Sequence, residues 1–311
     1  MKVLLRLILA VAWSAAATLP SLGGTASAGE PPPFPAPSTE RWATWYQWRQ
    51  PREDRSVIWF PQGDLFTPPQ ADQKQPRFHT TWQRYHTDSR VFDVASVGFG
   101  ENFGIVRRPG SAEGNGWQLG VSGAVFAIFN LDSASFDLLN ADYVVGFPFS
   151  VRRGDFSARA RLFHQSSHLG DEFLLNPNSY PPVERINLSF ETLELLASWE
   201  HRGFRAYGGG SRILHSETPL GRDRLQGGMD FRGAPLSWKT ARLVAGLDIE
   251  AWDETDWNAD VSFKTGLMLR SPYGDARSIQ FLLEFYSGRA PHGQFYTLDV
   301  HYFGAGIAYG F

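Results

Sequence analysis

DFSARARLFHQSSHLGDEF, residues 155–173, begins with a strict alternation. Phe156, Ala158, Ala160 and Leu162 take the even positions, and Ser157, Arg159 and Arg161 the odd ones. Successive side chains of a strand point to opposite faces, so this spacing predicts a strand with one apolar face and one polar face. Continued in register, the apolar row reaches His164 and Ser166, two residues that an apolar face does not need. The fold turns on what that row faces, and the chemistry on whether His164 and Ser166 act there.

The same period recurs along the chain. Leu243, Ala245, Leu247, Ile249 and Ala251 alternate with Arg242, Gly246, Asp248 and Glu250. Tyr143, Val145, Phe147, Phe149 and Val151 form another row, as do Ile279, Phe281, Leu283 and Phe285. Strands are expected at 77–86, 91–107, 117–130, 140–152, 156–166, 189–201, 204–215, 224–232, 240–252, 258–270, 277–288 and 297–311. Short connections containing Gly or Pro (152–155, 201–203, around Pro235, 271–274) alternate mostly with longer ones (131–139, 167–189, 215–223, 286–296). That asymmetry separates an outer-membrane barrel from a soluble β sandwich, because barrels turn tightly on the periplasmic side and loop outside. The expected fold is all-β: a transmembrane antiparallel β-barrel of about twelve strands, closed because lipid offers no hydrogen bonds to an open edge.

Composition agrees with an exported barrel. Lys2 and Arg6 precede an apolar run, and Ala26-Ser27-Ala28 offers small residues for cleavage, so residues 1–28 are expected to be a signal peptide. Its removal would take the net charge from -3 to -5 by the loss of Lys2 and Arg6. No basic run suggests nucleic acid, and the absence of cysteine excludes disulfides and lipoprotein attachment. Residues 29–76 begin Pro-rich and continue Trp-rich without steady periodicity, which fits a periplasmic linker or cap, a plug, or a segment lying on the membrane. Residues 77–311 are the expected barrel of the cell outer membrane. The final residues, GAGIAYGF, end in Phe311 and resemble the C-terminal signature by which the barrel assembly machinery recognises its clients.

Counting back from a descending last strand, 156–166 runs outward and ends at the outer leaflet. Residues two apart on a strand share a face, about 6–7 Å between Cα atoms. An imidazole at 164 can therefore act as general base for a hydroxyl at 166, given an acceptor to orient it. Asn178, Asn187 and Glu191 are the candidates, and Glu191 shares the parity of Leu193, Leu195 and Ala197. Three readings of this stretch stand side by side: a polar cap at a strand end, an acyl-hydrolase site, and a metal or lipid-headgroup site. The last would use His164, His168, Asp171 and Glu172, with calcium the ion in view. Leu169-Gly170-Asp171-Glu172 also fits a solvated turn. Arg159, Arg161, Arg242, Asp248, Glu250, Asp260, Lys264, Arg270 and Glu284 are expected to face the lumen, paired or lining a pore of mixed sign. Arg289-Ala290-Pro291-His292-Gly293-Gln294 reads as structural.

The His164-x-Ser166 arrangement resembles the outer-membrane phospholipases A, twelve-stranded barrels with an exterior His, Ser and later Asn. It is similar also to the lipid A 3-O-deacylases, which join His-x-Ser to a Glu. The phospholipase motif continues Asn-Gly, where this chain has Ser167-His168. IWFPQGDLFTPPQADQKQPRF (58–78), FHQSSHLGDEF (163–173) and SGRAPHGQFY (287–296) resemble a bacterial family, domain of unknown function 1207. That resemblance implies an outer-membrane barrel and no activity. Three functions follow as expectations: a structural or interaction barrel, an outer-leaflet lipid acyl hydrolase, and a small-solute channel.

Overall fold

Alternating rows become strands, and the strands close. The computed structural model describes residues 57–175, 184–236, 240–270 and 277–310. Residues 1–56 and Phe311, which carry the expectations of signal peptide, linker and assembly signal, lie outside the described residues. A two-residue strand β1 (Ile58–Trp59) precedes twelve long ones. These are β2 (Phe78–His86), β3 (Val91–Pro109), β4 (Gly116–Asn130), β5 (Leu138–Arg153), β6 (Phe156–Leu169) and β7 (Leu188–His201). They continue as β8 (Phe204–Ser216), β9 (Asp223–Pro235), β10 (Ala241–Trp252), β11 (Ala259–Arg270), β12 (Ser278–Arg289) and β13 (Asp299–Gly310). Each pairs antiparallel with its chain neighbour, β13 pairs with β2, and β3–β4 completes the ring. The tally of twelve made from the sequence matches this barrel, with bounds shifted by a few residues.

Outward rows stay apolar and exposed: Tyr143, Val145, Phe147, Phe149 and Val151 on β5, Phe281, Leu283 and Phe285 on β12. Inward rows are polar and buried, including Arg159, Arg161, Glu194, Asp248, Lys264 and Glu284. The outside is thus suited to hydrocarbon and the inside to charge. Tight turns join β5 to β6 and β7 to β8 at the periplasmic end, and β6 ends and β7 begins at the other end. Gly154, at φ +60 in the β5–β6 turn, occupies a left-handed conformation that costs glycine least. β6 therefore ascends, and His164 and Ser166 lie near its outer end.

The lumen is filled from both ends. From the periplasmic end, β1 pairs with β3 and the chain then runs inside the barrel to Arg77. Leu65, Phe66 and Ala71 of this insert are fully buried. Phe66 lies between the guanidinium groups of Arg159 (4.9 Å) and Arg205 (4.7 Å). The wall grips the insert largely by its main chain: Arg152 donates to the Leu65 carbonyl (2.7 Å), Ser262 to the Ala71 carbonyl (2.7 Å), and Gln70 N–H donates to Asp230 (3.1 Å). A Cβ at Gly246 would come within 2.6 Å of Gln70 Cβ, so the wall is thinned where the insert passes. Past β1, the described part of this segment, residues 57–76, runs inside the barrel.

From the outer end, the 290–298 loop folds inward instead of standing in solvent. Gly293 N–H donates to Asp142 (3.1 Å), and Gln294 Nε2 donates to the Ser167 and Ile186 carbonyls (2.8 and 3.0 Å). Burial pushes His292 down to about 3, so it is a neutral imidazole, with Nε2 3.2 Å from Tyr85 Oη. Phe295 of this loop meets Phe173 edge-on at 5.6 Å within an apolar cluster that includes Tyr85, Leu169 and Tyr302. Asp142 is shared: Lys74 of the insert pairs with it while Gly293 donates to it from the outer loop.

Arg107, 1% exposed, donates to Gln118 Oε1 (2.6 Å) and to the carbonyls of Gln62 (3.2 Å) and Gly63 (2.6 Å). Arg107→Ala would take the donor from the buried Gln118 Oε1 and loosen the hold on the Gln62 and Gly63 carbonyls, at a cost on the order of 3 kcal/mol. The expected result is a lowered thermal midpoint together with new protease cleavage near Gln62 and Gly63. An unchanged cleavage pattern would show that the insert does not depend on this anchor.

Candidate active site on the lipid-facing wall

On β6 the inward neighbours Gln165 and Ser167 are buried, which turns His164 and Ser166 outward with Leu162, 46% exposed. Register brings β7 alongside: His164 stands opposite Glu191 and Ser166 opposite Ser189. On the other side Ser166 faces Tyr143 of β5. Parity on β7 puts Ser189, Glu191 and Leu193 on the same outer face, between buried Leu188, Phe190 and Thr192.

His164 Nδ1 lies 2.9 Å from Glu191 Oε1. With Glu191 as carboxylate, Nδ1 carries the proton and donates, and the second ring nitrogen is left as a base. Glu191 Oε2 lies 3.1 Å from Nδ1 of His215, on β8. The carboxylate is therefore held on both oxygens. Among the described residues no hydrogen bond joins Ser166 to His164; the two share a face one strand repeat apart.

Of the expected acceptors, Glu191 meets His164. Asn178 lies outside the described residues. Asn187 accepts a hydrogen bond from Thr218 Oγ1 through its carbonyl (2.8 Å). His168 ends the same outward row with its ring edge-on to Tyr143 at 5.8 Å. Asp171 and Glu172 are not in a simple turn: they begin a short helix, α1 (Asp171–Leu175), which buries Phe173. Among the described residues no three His, Asp or Glu side chains converge to hold a metal ion. A cation cage of His164, His168, Asp171 and Glu172 thus does not fit. His215 carries no signal in the sequence, because strict alternation along β8 would put Leu214 on the outer face in its place.

The model of the family described as Protein of unknown function (DUF1207) matches residues 55–311. No curated protein matches the chain in sequence. Among solved structures it resembles the calcium-bound outer membrane phospholipase dimer of Salmonella typhi, with TM-score 0.50 and 12% identity, over 80% of this chain and 94% of that one. The outer membrane phospholipase A of Escherichia coli gives 0.47 and 14%, over 75% and 90%, and the KdgM porin 0.40 and 10%, over 75% and 99%. At these identities the likeness is one of fold, that of an outer-membrane barrel.

Proposed function

The chain therefore belongs to the DUF1207 family of unknown function, and on that premise we propose that it is an outer-leaflet lipid acyl hydrolase with Ser166 as nucleophile. The observation that carries this reading is the lipid-facing His164, its Nδ1 bound to Glu191 and its other nitrogen available to a serine on the same face. A polar strand cap needs no such order of serine, imidazole and carboxylate.

The chemistry follows from the tautomer. His164 takes the Ser166 hydroxyl proton as Oγ attacks the ester carbonyl carbon, and Glu191 remains ionised and stabilises the imidazolium. The imidazolium returns that proton to the departing alkoxide, leaving an acyl group on Ser166. Water, deprotonated by the same ring, then releases the fatty acid and restores the hydroxyl. Ser166 and His164 close to hydrogen-bond distance when substrate excludes water, as apo catalytic contacts commonly do. The substrate class follows from placement: the acyl ester bonds of membrane lipids lie where an apolar wall gives way to polar residues.

A strand nucleophile lacks the backbone oxyanion hole of a loop nucleophile, since neighbouring N–H groups are committed to the sheet. Ser189, directly opposite Ser166 on β7, offers a hydroxyl donor. Ser189→Ala is expected to lower kcat by about 10²-fold with little change in KM. Equal kcat would assign the oxyanion to another donor.

The reading is tested by incubating the purified full chain with phospholipid or lipid A in mixed micelles, with and without calcium. Fatty acid release is expected, together with a fluorophosphonate adduct on Ser166 by peptide mass spectrometry. Absence of both release and adduct would overturn it. A small-solute conduit, the competing reading, requires the insert to leave the lumen.

A further inference from the structure

We infer that His215 is a positioning residue of this site, acting on the reaction through Glu191; the inference rests on the acyl-hydrolase reading. The observation behind it is a break in register. β7 and β8 pair regularly from His201↔Phe204 to Thr192↔Ile213, and the next pair is Glu191↔His215. Leu214 is thus an extra residue, a β-bulge on β8. Ile213 is buried at 3%, and Leu214 and His215 are both exposed. Under unbroken alternation Leu214 would face Glu191 and His215 would point into the lumen. The bulge turns His215 outward and sets its Nδ1 3.1 Å from Glu191 Oε2. Re-aiming a side chain beside a site is what bulges do.

The consequence is geometric. A carboxylate held by one donor still turns about its side-chain bonds, and the imidazole it orients turns with it. With His164 on one oxygen at 2.9 Å and His215 on the other at 3.1 Å, the carboxylate plane is fixed. The His164 ring is then presented toward Ser166 in one orientation and one tautomer. Orientation of this kind governs rate strongly, because small misplacements of a base are costly.

An ordinary surface pair predicts something different. The side chains of His215 and Glu191 are 66% and 43% exposed, so the contact itself adds little to stability. Loss of His215 should therefore leave unfolding unchanged and alter only turnover.

The test uses the full chain in mixed micelles, measuring kcat, KM, thermal midpoint and the rate of fluorophosphonate labelling. His215→Leu is expected to lower kcat and labelling rate about 10-fold, with KM and midpoint unchanged. His215→Gln, which keeps an N–H donor, should recover most of the loss. In a Glu191→Ala background His215→Leu should have no further effect, since its route is gone. Wild-type kcat in His215→Leu, or an undiminished effect in the Glu191→Ala background, would overturn the inference while leaving Ser166 as nucleophile. Absence of release and labelling in the wild type would instead remove the hydrolase reading, and this inference with it.

Discussion

Ser166→Ala is expected to abolish release of fatty acid from membrane lipid, by about 10³-fold or more, with the barrel intact. The size of the effect follows from the loss of the covalent route: without Oγ there is no acyl intermediate, and neither His164 nor Glu191 can replace it. Stability should not change, because Ser166 is outward and lies outside every buried hydrogen bond of the lumen. Glu191→Gln tests the other end of the arrangement. An amide in place of the carboxylate can present an N–H to His164 Nδ1 and invert the tautomer, so the free nitrogen would carry the proton and could not accept one. Turnover should fall by about 10³-fold in that variant as well. Hydrolysis undiminished in Ser166→Ala would remove Ser166 as the nucleophile and return the outward row to a polar cap.

The second large effect concerns the lumen. A variant lacking residues 57–76 is expected to give discrete conductance steps in a planar bilayer where the full chain is silent. The insert fills the barrel with Leu65, Phe66 and Ala71, and the wall grips its carbonyls through Arg107 and Arg152. What remains on the wall is polar: Arg159 and Arg161 on Glu194, Lys264 on Glu284, Arg205 on Asp230. Such a surface hydrates when its apolar filling is withdrawn. Asp142 would also lose Lys74, one of the contacts that tie the outer loop to the insert. Loosening of the 290–298 loop should therefore accompany the missing insert, read as faster proteolysis at the outer surface. A silent truncated barrel would mean that wall side chains and the outer loop suffice to seal it.

The two parts of the molecule differ in how far the sequence revealed them. The barrel was legible because its cause is local. Lipid outside and charge inside force a period of two on each strand, and Phe156 to Leu162 shows it without reference to any other residue. The same parity placed His164, Ser166 and Glu191 on the outer face, and a carboxylate of matching parity on the next strand was the natural partner for an outward imidazole. Asp171 and Glu172 misled because spacing in a loop says nothing about convergence. They start α1, and the ion they suggested has no cage there.

Three decisions belonged to the tertiary structure. The segment around Phe66 has no periodicity, and only the shape and charge of the closed lumen drew it inside, where Arg159 and Arg205 cover its ring. The 289–294 loop reads as structural with no chemical signature of its own, and it is Asp142, about 150 residues earlier in the chain, that holds Gly293 within the mouth. His215 lay on the wrong face by parity until one extra residue in β8 reversed it. The alternation starting at Asp155 was enough to determine the wall and the direction its residues face, since strand geometry and the solvent on each side act residue by residue. What fills the lumen, and what stands behind Glu191, depended on contacts between distant segments and on a shift of register, neither of which leaves a periodic trace in the chain.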